Sequence, residues 1–550
     1  MENEKESIRI RYNHVGYGVD FSKTFFVAVL EGGNEHAFEG GIFELVDSLG
    51  KPVFTDKLSY CGKAEYTGEI LYVGNFTEYR HPGKYRIRVG NQESHLFEIS
   101  DEWISRQFKS NVKSFYYQRT GEELDKALAG KWARPASHMD DKLEFHPTMN
   151  RKGVWNAHGG WYDAGDYGKY IVNGGVSVAT LMLACEMKHS LEVVDGVDFV
   201  PSFEQPFSLL DEIRFELEFF LRMQDDDGGV FFKVTPGHWD GFMMPADSDV
   251  MQKRFILGKS TTSTLNFAGA LAQAHRVFAA TDPQFATRCL AASRRAYQWA
   301  LDNPSVEWPH NTEGSGGYGD EHVEDEFFWA RAMLYRETCD ETLLEKLPHD
   351  MEMNPPKLGL DWRDTQNLGW IALALGPLPP CAQELQKTAR NALEKTADEI
   401  LRLQRDDPYG ISLRRFIWGS NGIIANHALT SAIVYSWSKN REYLDSAFEQ
   451  MNFIYGRNPV DVSFVTGSAW SSPMHPHHRI CHSDGVEEPI PGLLVGGLNN
   501  DRQDMIRKPH YPGDLPGFAY TDERCSFASN ETAINWNAPL TSLLALLNQP

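Results

Sequence analysis

The sequence predicts two domains, a small β-sandwich over residues 1–100 and a larger all-α barrel over residues 105–550. The chain has 550 residues, which is more than a single hydrophobic core usually supports. Apolar and polar residues alternate in the first hundred positions, and from about residue 105 apolar residues recur every three to four positions. Because strands and helices have these two periods, we expect the fold class to change close to residue 100.

The N-terminal alternation is clearest in two short stretches. In "SIRIRY" the apolar residues Ile8, Ile10 and Tyr12 share one face, and "KYRIRVG" repeats the pattern from Tyr85 onward. Half-buried strands have this pattern. Turn signals such as "HPGK" separate the runs, so an antiparallel sandwich that ends near Ser100 is predicted.

Helical stripes fill the remainder of the chain. In "LLDEIRFELEFFLRM", Leu209, Ile213, Leu217 and Phe220 fall on one face, and comparable stripes predict about a dozen helices. Polar loops rich in glycine and proline join them. We therefore expect helical hairpins that close into a barrel, with its loops forming a cleft at one end.

Composition excludes several classes of partner. The formal net charge of -23 and the lack of a basic stripe argue against nucleic acid. No run of 18 apolar residues occurs, and the N-terminal stretch is polar, so no membrane association is expected and a cytoplasmic location is predicted. The seven cysteines include no C-x-x-C pair, which predicts free thiols. Nothing in the sequence indicates the oligomeric state.

The stretch "GGWYDAGDYGKY" places two aspartates, Asp163 and Asp166, on a glycine-rich loop before a helix. Two neighbouring carboxylates can hold a water and act as the general base of a hydrolase. We expect the adjacent aromatic residues Trp161 and Tyr162 to contact a sugar. A calcium loop or a capping pair is the alternative, although D-x-x-D lacks the alternating ligands of a calcium-binding loop.

A histidine cluster follows in "SSPMHPHHRICH", from Ser471 to His482. Four histidines so close together are compatible with zinc, but no second ligand pair is evident elsewhere in the chain. We prefer His477 and Arg479 as polar contacts in a cleft, and we predict no metal ligand among them.

The C-terminal stretch "YTDERCSFASNETAINWNAPL" contains Glu531, which Ser529 or Asn530 could cap at the start of a helix. In that position the helix dipole would lower the pKa of Glu531. A general acid needs a raised pKa, so burial and the field of the two aspartates would have to prevail.

Together these motifs resemble glycoside hydrolase family 9, the inverting cellulase family. The resemblance rests on "GGWYDAGDYGKY", "PHHR" and the series Tyr520, Asp522, Phe527, Glu531, Asn537 and Ala538, and it extends from "FYYQRTG" almost to the C-terminus. The stretch from "NHVGY" onward is similar to the immunoglobulin-like module that precedes the catalytic domain in one branch of that family. The resemblance implies an immunoglobulin-like sandwich followed by an (α/α)6 barrel.

The resemblance also implies roles for individual residues. Asp166 would be the catalytic base, Asp163 its partner on the nucleophilic water, and Glu531 the acid. His477 and Arg479 would contact the sugar, and Asp522 would lie at the substrate site in an orienting role. The implied activity is cleavage of β-1,4-linked glucan oligosaccharides with inversion, without a required cofactor; a structural calcium ion is compatible with the sequence.

Three alternatives remain open at this point. An exo-β-D-glucosaminidase is favoured by the acidic charge and by an insert at residues 498–518 that could block one end of the cleft. Asp140, Asp141 and Glu144 could then hold a substrate amine, or they could form a solvated acidic turn. A non-catalytic carbohydrate-binding protein and a zinc-dependent hydrolase are the other two.

Overall fold

The computed structural model describes residues 8–30, 40–187, 208–308, 313–320 and 322–548. The strands within these ranges are β1 (Arg9–Arg11), β2 (Gly16–Tyr17), β3 (Thr24–Leu30), β4 (Ile42–Asp47), β5 (Pro52–Lys57), β6 (Ser59–Ala64), β7 (Glu69–Asn75), β8 (Gly83–Val89), β9 (Gln92–Glu93), β10 (Phe97–Ile99), β11 (Leu143–Phe145), β12 (Val154–Trp155), β13 (Lys169–Tyr170), β14 (Phe231–Pro236) and β15 (Arg254–Lys259).

The α-helices in the same ranges are α1 (Glu102–Gln118), α2 (Lys126–Ala129), α3 (Ile171–Met187), α4 (Leu209–Met223), α5 (Pro245–Met251), α6 (Thr261–Phe278), α7 (Pro283–Asp302), α8 (Glu324–Thr338), α9 (Glu341–Leu344), α10 (Leu347–Met353), α11 (Gln366–Ala374), α12 (Gln383–Arg405), α13 (Ser420–Ser438), α14 (Arg441–Ile454), α15 (Phe527–Asn530) and α16 (Ile534–Leu547).

The N-terminal strands form the predicted sandwich. One sheet has the order β1-β3-β7-β6 and the other the order β2-β10-β8-β4-β5, with β9 paired to β8. Ile8, Tyr12, Tyr85 and Ile87 pack in the core between the sheets, as the alternation predicted. The last of these strands, β10, ends at Ile99, and α1 begins at Glu102.

The strand β3 is buried on both faces because it belongs to two cores. Phe25, Val27 and Val29 point into the sandwich, whereas Phe26 and Ala28 pack against the helical domain. Side chains alternate across a strand, so one strand can serve both neighbours. The sandwich therefore packs on the barrel through the sheet that contains β3.

The helical domain is the predicted barrel of paired helices. The inner helices α3, α6, α8, α11, α13 and α16 pack side by side, in the order α11-α8-α6-α3-α16-α13. Each packs against a partner on the outer layer, giving the pairs α3 with α4, α6 with α7, α8 with α10, α11 with α12, α13 with α14, and α16 with α1. The outer helix α12 contacts both α11 and α13, the two ends of this series.

Burial separates the inner helices from the outer ones. In α3 every residue from Ile171 to Ala184 is buried, because neighbours cover the helix on all sides. In α12 the buried residues form a single stripe that includes Ala389, Leu393 and Ile400. The predicted helices are present. The apolar pattern over 171–189 predicts a helix there; α3 extends to Met187, and residues 188 and 189 lie outside the described ranges.

A small sheet in the helical domain was not predicted. It has the order β12-β11-β15-β14-β13 and connects the loops around the start of α3. Its strands have two to six residues, too short for a clear period of two to emerge.

The structure tests two expectations from composition, the state of the cysteines and the presence of membrane-spanning helices. All seven cysteines lie in the described ranges, and each is a free thiol, as predicted. No helix in the described ranges is both long and apolar enough to cross a membrane.

Candidate active site

A large cleft opens at the end of the barrel where the inner helices begin. Its volume is about 1160 Å³. Part of the lining comes from the segments just before five of these helices: Tyr170 before α3, Tyr318 before α8, Trp362 before α11, Trp418 before α13 and Glu531 before α16. A cleft formed by loops at one end of the barrel was predicted. These loops bring five predicted residues into one cavity: Asp163, Asp166, Glu531, His477 and Arg479.

Backbone hydrogen bonds hold the three predicted motifs together. The amide of His477 donates to the carbonyl of Asn530 at 2.8 Å, and that of Arg479 donates to the carbonyl of Gly165 at 2.9 Å. The amide of Ile534 donates to the carbonyl of Asp163 at 2.9 Å. The aspartate loop, the histidine loop and the Glu531 segment therefore form one bonded unit.

Gly165 explains why the aspartate motif contains a glycine between its carboxylates. A Cβ atom at this position would lie 2.0 Å from the carbonyl oxygen of His477. Real Cβ atoms cannot approach a backbone oxygen so closely. A residue other than glycine at position 165 would therefore push the aspartate loop away from the histidine loop.

Asp163 is buried and has a donor on each carboxyl oxygen. The Asn173 amide donates to Oδ1 at 2.6 Å, and the Tyr318 hydroxyl donates to Oδ2 at 2.5 Å. Burial raises the pKa of Asp163 to about 7, although both hydrogen bonds oppose this shift. The charge of nearby Asp166 adds to the increase in the pKa.

Asp166 lies on the same loop and also lines the cleft. Its Oδ1 accepts a hydrogen bond from the Gly168 amide at 3.1 Å. This bond fixes the side chain to its own turn. The amide of Asp163 closes the same turn by donating to the Gly168 carbonyl at 2.9 Å. The two carboxyl groups are thus presented by one rigid loop.

Glu531 does not begin a helix, and that prediction is wrong. The short helix α15 ends at Asn530, residues 531–533 are extended, and α16 begins at Ile534. Bridges from Glu531 to His477, from Thr532 to Val495 and from Ala533 to Ala164 hold this segment. Because these tertiary contacts override the capping signal, Glu531 is not in the first turn of a helix.

The electrostatic environment of Glu531 suits a proton donor. Desolvation by the surrounding side chains raises its pKa well above the ordinary value, and the negative charges of Asp166 and Asp163 raise it further. Arg479 and the hydrogen bond from the Trp418 side chain oppose this shift without cancelling it. Glu531 therefore keeps its proton at a pH where an exposed glutamate is ionised.

His477 and Arg479 line the same cleft. The Nδ1 atom of His477 lies 2.5 Å from the carbonyl oxygen of Arg524, and burial lowers its pKa to about 4, so the imidazole is neutral near pH 7. The Arg479 guanidinium donates to the carbonyl oxygens of Gly165 at 3.0 Å and Asp240 at 3.1 Å. Arg479 thus also supports the aspartate loop.

The structure contradicts the predicted sugar contacts of Trp161 and Tyr162. Both side chains are 1% exposed and lie behind the aspartate loop. Trp161 donates its indole N–H to Glu212 at 2.7 Å, and the Tyr162 hydroxyl lies 2.7 Å from Nδ1 of His138. These residues support the loop from within the core.

Asp522 likewise does not line the cleft. Its carboxylate accepts hydrogen bonds from the amides of Met474 at 2.7 Å and His475 at 2.9 Å, and from the Asn530 side chain at 3.0 Å. The prediction that Asp522 lies at the substrate site is therefore wrong. Its contacts are those of an orienting residue, since it joins the histidine loop to the segment before Glu531.

The acidic turn suggested as an amine-binding site has another role. Asp140 is buried and pairs with Lys169 at 2.7 Å and Arg254 at 2.9 Å. These cations lower its pKa. Asp141 and Glu144 are exposed, as in a solvated acidic turn, and do not line the cleft. The buried and paired Asp140 fits neither suggested interpretation.

The insert at residues 498–518 forms part of the cleft wall through Gln503 and Arg507. Its anchor is Asp504, a fully buried carboxylate that accepts hydrogen bonds from the Tyr511 hydroxyl at 2.8 Å and the Ser526 hydroxyl at 2.6 Å. Ser526 immediately precedes α15, so the insert is fixed to the segment that leads to Glu531.

Sequence reasoning missed most of the aromatic side chains of the cleft. These are Tyr170, Trp239, Phe242, Tyr318, Trp362, Trp418, Phe527 and Trp536. Several share one signal, an aromatic residue in a loop just before an inner helix. Tyr318 is an example in "GSGGYGD", where the glycines indicate a loop but do not show that the loop lies at the cleft.

The histidine cluster uses its ring nitrogens for contacts within the protein. Besides His477, Nε2 of His478 lies 3.0 Å from the Gln118 side chain and Nε2 of His482 lies 2.8 Å from the Pro476 carbonyl. Among the described residues, no group of three or more histidine, cysteine, aspartate or glutamate side chains is arranged to hold a metal ion. A structural calcium ion stays a prediction.

Carboxylic acids gathered in an aromatic cleft at the end of a helical barrel are the groups that a glycoside hydrolase needs. The sequence profile "Glycosyl hydrolase family 9" matches residues 105–544, and the profile "Cellulase N-terminal ig-like domain" matches residues 5–94. The chain belongs to glycosyl hydrolase family 9, and its sandwich is an immunoglobulin-like domain.

Characterised relatives cover nearly the whole chain. A xyloglucan-specific endo-β-1,4-glucanase of Bacteroides ovatus is 35% identical over 98% of this chain and 93% of its own. A cellodextrinase of Butyrivibrio fibrisolvens is 31% identical over 92% of this chain and 95% of its own. A solved structure of a thermostable endoglucanase from Alicyclobacillus acidocaldarius has a TM-score of 0.86 and 30% identity, with 98% of this chain and 99% of that chain covered.

Proposed function

We propose that this protein hydrolyses β-1,4-linked glucans and their oligosaccharides with inversion at the anomeric carbon. The observation that carries the proposal is the meeting of Glu531 with Asp166 and Asp163 in one cleft. Burial strongly raises the pKa of Glu531, which suits a proton donor, and the Gly168 amide holds the carboxyl group of Asp166 in place on its loop. A protonated carboxyl and a second carboxyl in one cleft can act as the acid and the base of a single hydrolytic step.

In the proposed reaction Asp166 removes a proton from a water molecule, and the water oxygen attacks the anomeric carbon. Glu531 donates its proton to the glycosidic oxygen, which leaves with the bonding electron pair. The step ends with Asp166 protonated and Glu531 ionised, and solvent restores both groups. Asp163 holds the same water and is itself fixed by Asn173 and Tyr318.

The substrate class follows from the cleft and the relatives together. Aromatic side chains can stack on the apolar faces of pyranose rings, and the relatives are named for β-1,4-glucan substrates. Asp140 is paired to Lys169 and Arg254, so it does not offer a free carboxylate to a substrate amine. We favour glucan oligosaccharides over chitosan oligosaccharides for this reason.

The first experiment compares substrates directly. We expect purified protein to release reducing ends from cellotetraose and xyloglucan oligosaccharides, and to release far fewer from chitosan oligosaccharides of the same length. The Asp166→Asn variant is the control for contaminating hydrolases. Preferred cleavage of chitosan oligosaccharides would overturn the choice of sugar, and failure on all three substrates would overturn the proposed activity.

The hydrogen bond from Tyr318 to Asp163 predicts a change in pH dependence. Because this bond lowers the pKa of Asp163, Tyr318→Phe should raise that pKa above about 7. A group that must be ionised limits the rate on the acid side of the profile, so that limb of kcat/KM should move to higher pH.

Tyr170→Phe is the matched control for Tyr318→Phe. Tyr170 also lines the cleft, but its hydroxyl donates to the Gly316 carbonyl at 2.6 Å and not to a carboxylate. The acid limb should keep its position in this variant. An unmoved limb in Tyr318→Phe would show that ionisation of Asp163 does not control the rate.

A further inference from the structure

A second pocket lies between the sandwich and the barrel, apart from the cleft. Its volume is about 410 Å³, within the range of roughly 300–1,000 Å³ that is typical of small-ligand sites. The sandwich contributes the segments 8–12 and 92–95, and the barrel contributes 459–461 and Trp470. None of its lining residues lines the cleft.

An exposed tryptophan forms one wall of this pocket. Trp470 is 51% exposed, which is unusual for so large an aromatic side chain. His95 stacks on its ring at 3.9 Å, and its indole N–H donates to the Tyr12 hydroxyl at 3.2 Å. Two residues of the sandwich thus hold the indole of this barrel residue in place, while half of its surface stays open.

A buried arginine with incomplete hydrogen bonding lines the same pocket. Arg11 is 3% exposed, and its guanidinium lies 3.5 Å from Glu69 and 3.7 Å from Asp461, which are long distances for ion pairs. Its Nε atom is buried without a hydrogen-bond partner in the described part of the chain. Buried donors are normally satisfied, so the unbonded Nε is an unusual feature of a residue in the wall of this pocket.

The charges around the pocket select a neutral ligand. Arg9 and Arg11 are balanced by Glu93 and Asp461, so neither an anion nor a cation is favoured overall. A half-exposed indole next to charged hydrogen-bonding groups suits a sugar, since a pyranose presents an apolar face and a rim of hydroxyls. We propose that this interdomain pocket is a second carbohydrate-binding site for neutral glucan oligosaccharides.

The site would hold substrate close to the catalytic machinery without taking part in the reaction. Trp470 belongs to the segment that continues to His477 and Arg479 in the cleft. A glucan segment held at Trp470 raises the local concentration of chain ends and branches near the cleft. The choice of ligand rests on the proposed function, but binding and hydrolysis are measured separately.

Calorimetric titration of the full-length Asp166→Asn protein with cellotetraose tests the proposal. We expect two binding events, because the hydrolysis-impaired cleft and the interdomain pocket each take one ligand. Adding Trp470→Ala should weaken one event by about tenfold, as expected for loss of an aromatic contact. Adding Trp418→Ala should instead weaken the other event, which assigns it to the cleft.

A second pair of variants keeps the test decisive if Trp470→Ala does not fold. Arg9 and Gln92 are exposed or partly exposed residues of the pocket, and their double replacement by alanine should also weaken the pocket event. Arg405→Ala, on the outer helix α12, is the matched control and should change neither event. A single binding event in Asp166→Asn that none of the pocket variants alters would overturn the proposal.

Discussion

Replacing Asp166 with asparagine is expected to slow hydrolysis of cellotetraose by about 10²- to 10⁴-fold, the usual contribution of a general base. Asparagine has the shape of aspartate and keeps an oxygen that can accept from the Gly168 amide, so the loop should keep its conformation. Oligosaccharide binding should persist because the aromatic lining of the cleft is unchanged.

Asp240→Asn is the matched control for Asp166→Asn. Asp240 also lines the cleft, but it is bonded to the Gln252 side chain and has no proposed role in proton transfer. Its replacement should reduce the rate much less. The assignment of the base would be wrong if Asp166→Asn kept nearly full activity, or if both variants lost activity equally.

Replacing Glu531 with glutamine should produce a loss that depends on the leaving group. A sugar leaving group needs full protonation of the glycosidic oxygen, whereas a nitrophenolate leaves without it. We therefore expect Glu531→Gln to lose about 10²-fold or more on cellotetraose and far less on a nitrophenyl cellobioside. Asp166→Asn should lose about equally on both, because both substrates need an activated water.

Steady-state rates of both variants on both substrates provide the measurement. The raised pKa of Glu531 explains the expected loss, since it keeps the carboxyl group protonated and able to donate. Glutamine cannot donate that proton. If Glu531→Gln were equally impaired on both substrates and Asp166→Asn were sensitive to the leaving group, the acid and base roles would be exchanged.

Much of the fold was predictable because apolar residues recur along the sequence with the clear period of a strand or of a helix. The stripe in α4 begins at Leu209 and ends at Met223, as the pattern of apolar residues indicated. The sheet formed by β11 to β15 was missed because its strands are short and are held by pairing with distant segments. Local sequence contains little information about such pairing.

The site was predictable in its residues but not in all of its geometry. Asp163, Asp166 and Glu531 meet in one cleft as expected, yet a helix was predicted where residues 531–533 are extended. Contacts with segments distant along the chain decide that conformation. For the same reason, the sequence could not distinguish Trp161, which faces the core, from Tyr170 of the same motif, which faces the cleft.

The anomeric form of the first product tests the proposed mechanism most directly. Proton NMR of cellotetraose hydrolysis, recorded before mutarotation equilibrates the anomers, distinguishes the two possible outcomes. If a water activated by Asp166 attacks opposite the leaving group, the new reducing end should appear first as the α-anomer. Initial formation of the β-anomer would show retention through a covalent intermediate, and it would contradict the roles proposed for Asp166 and Glu531.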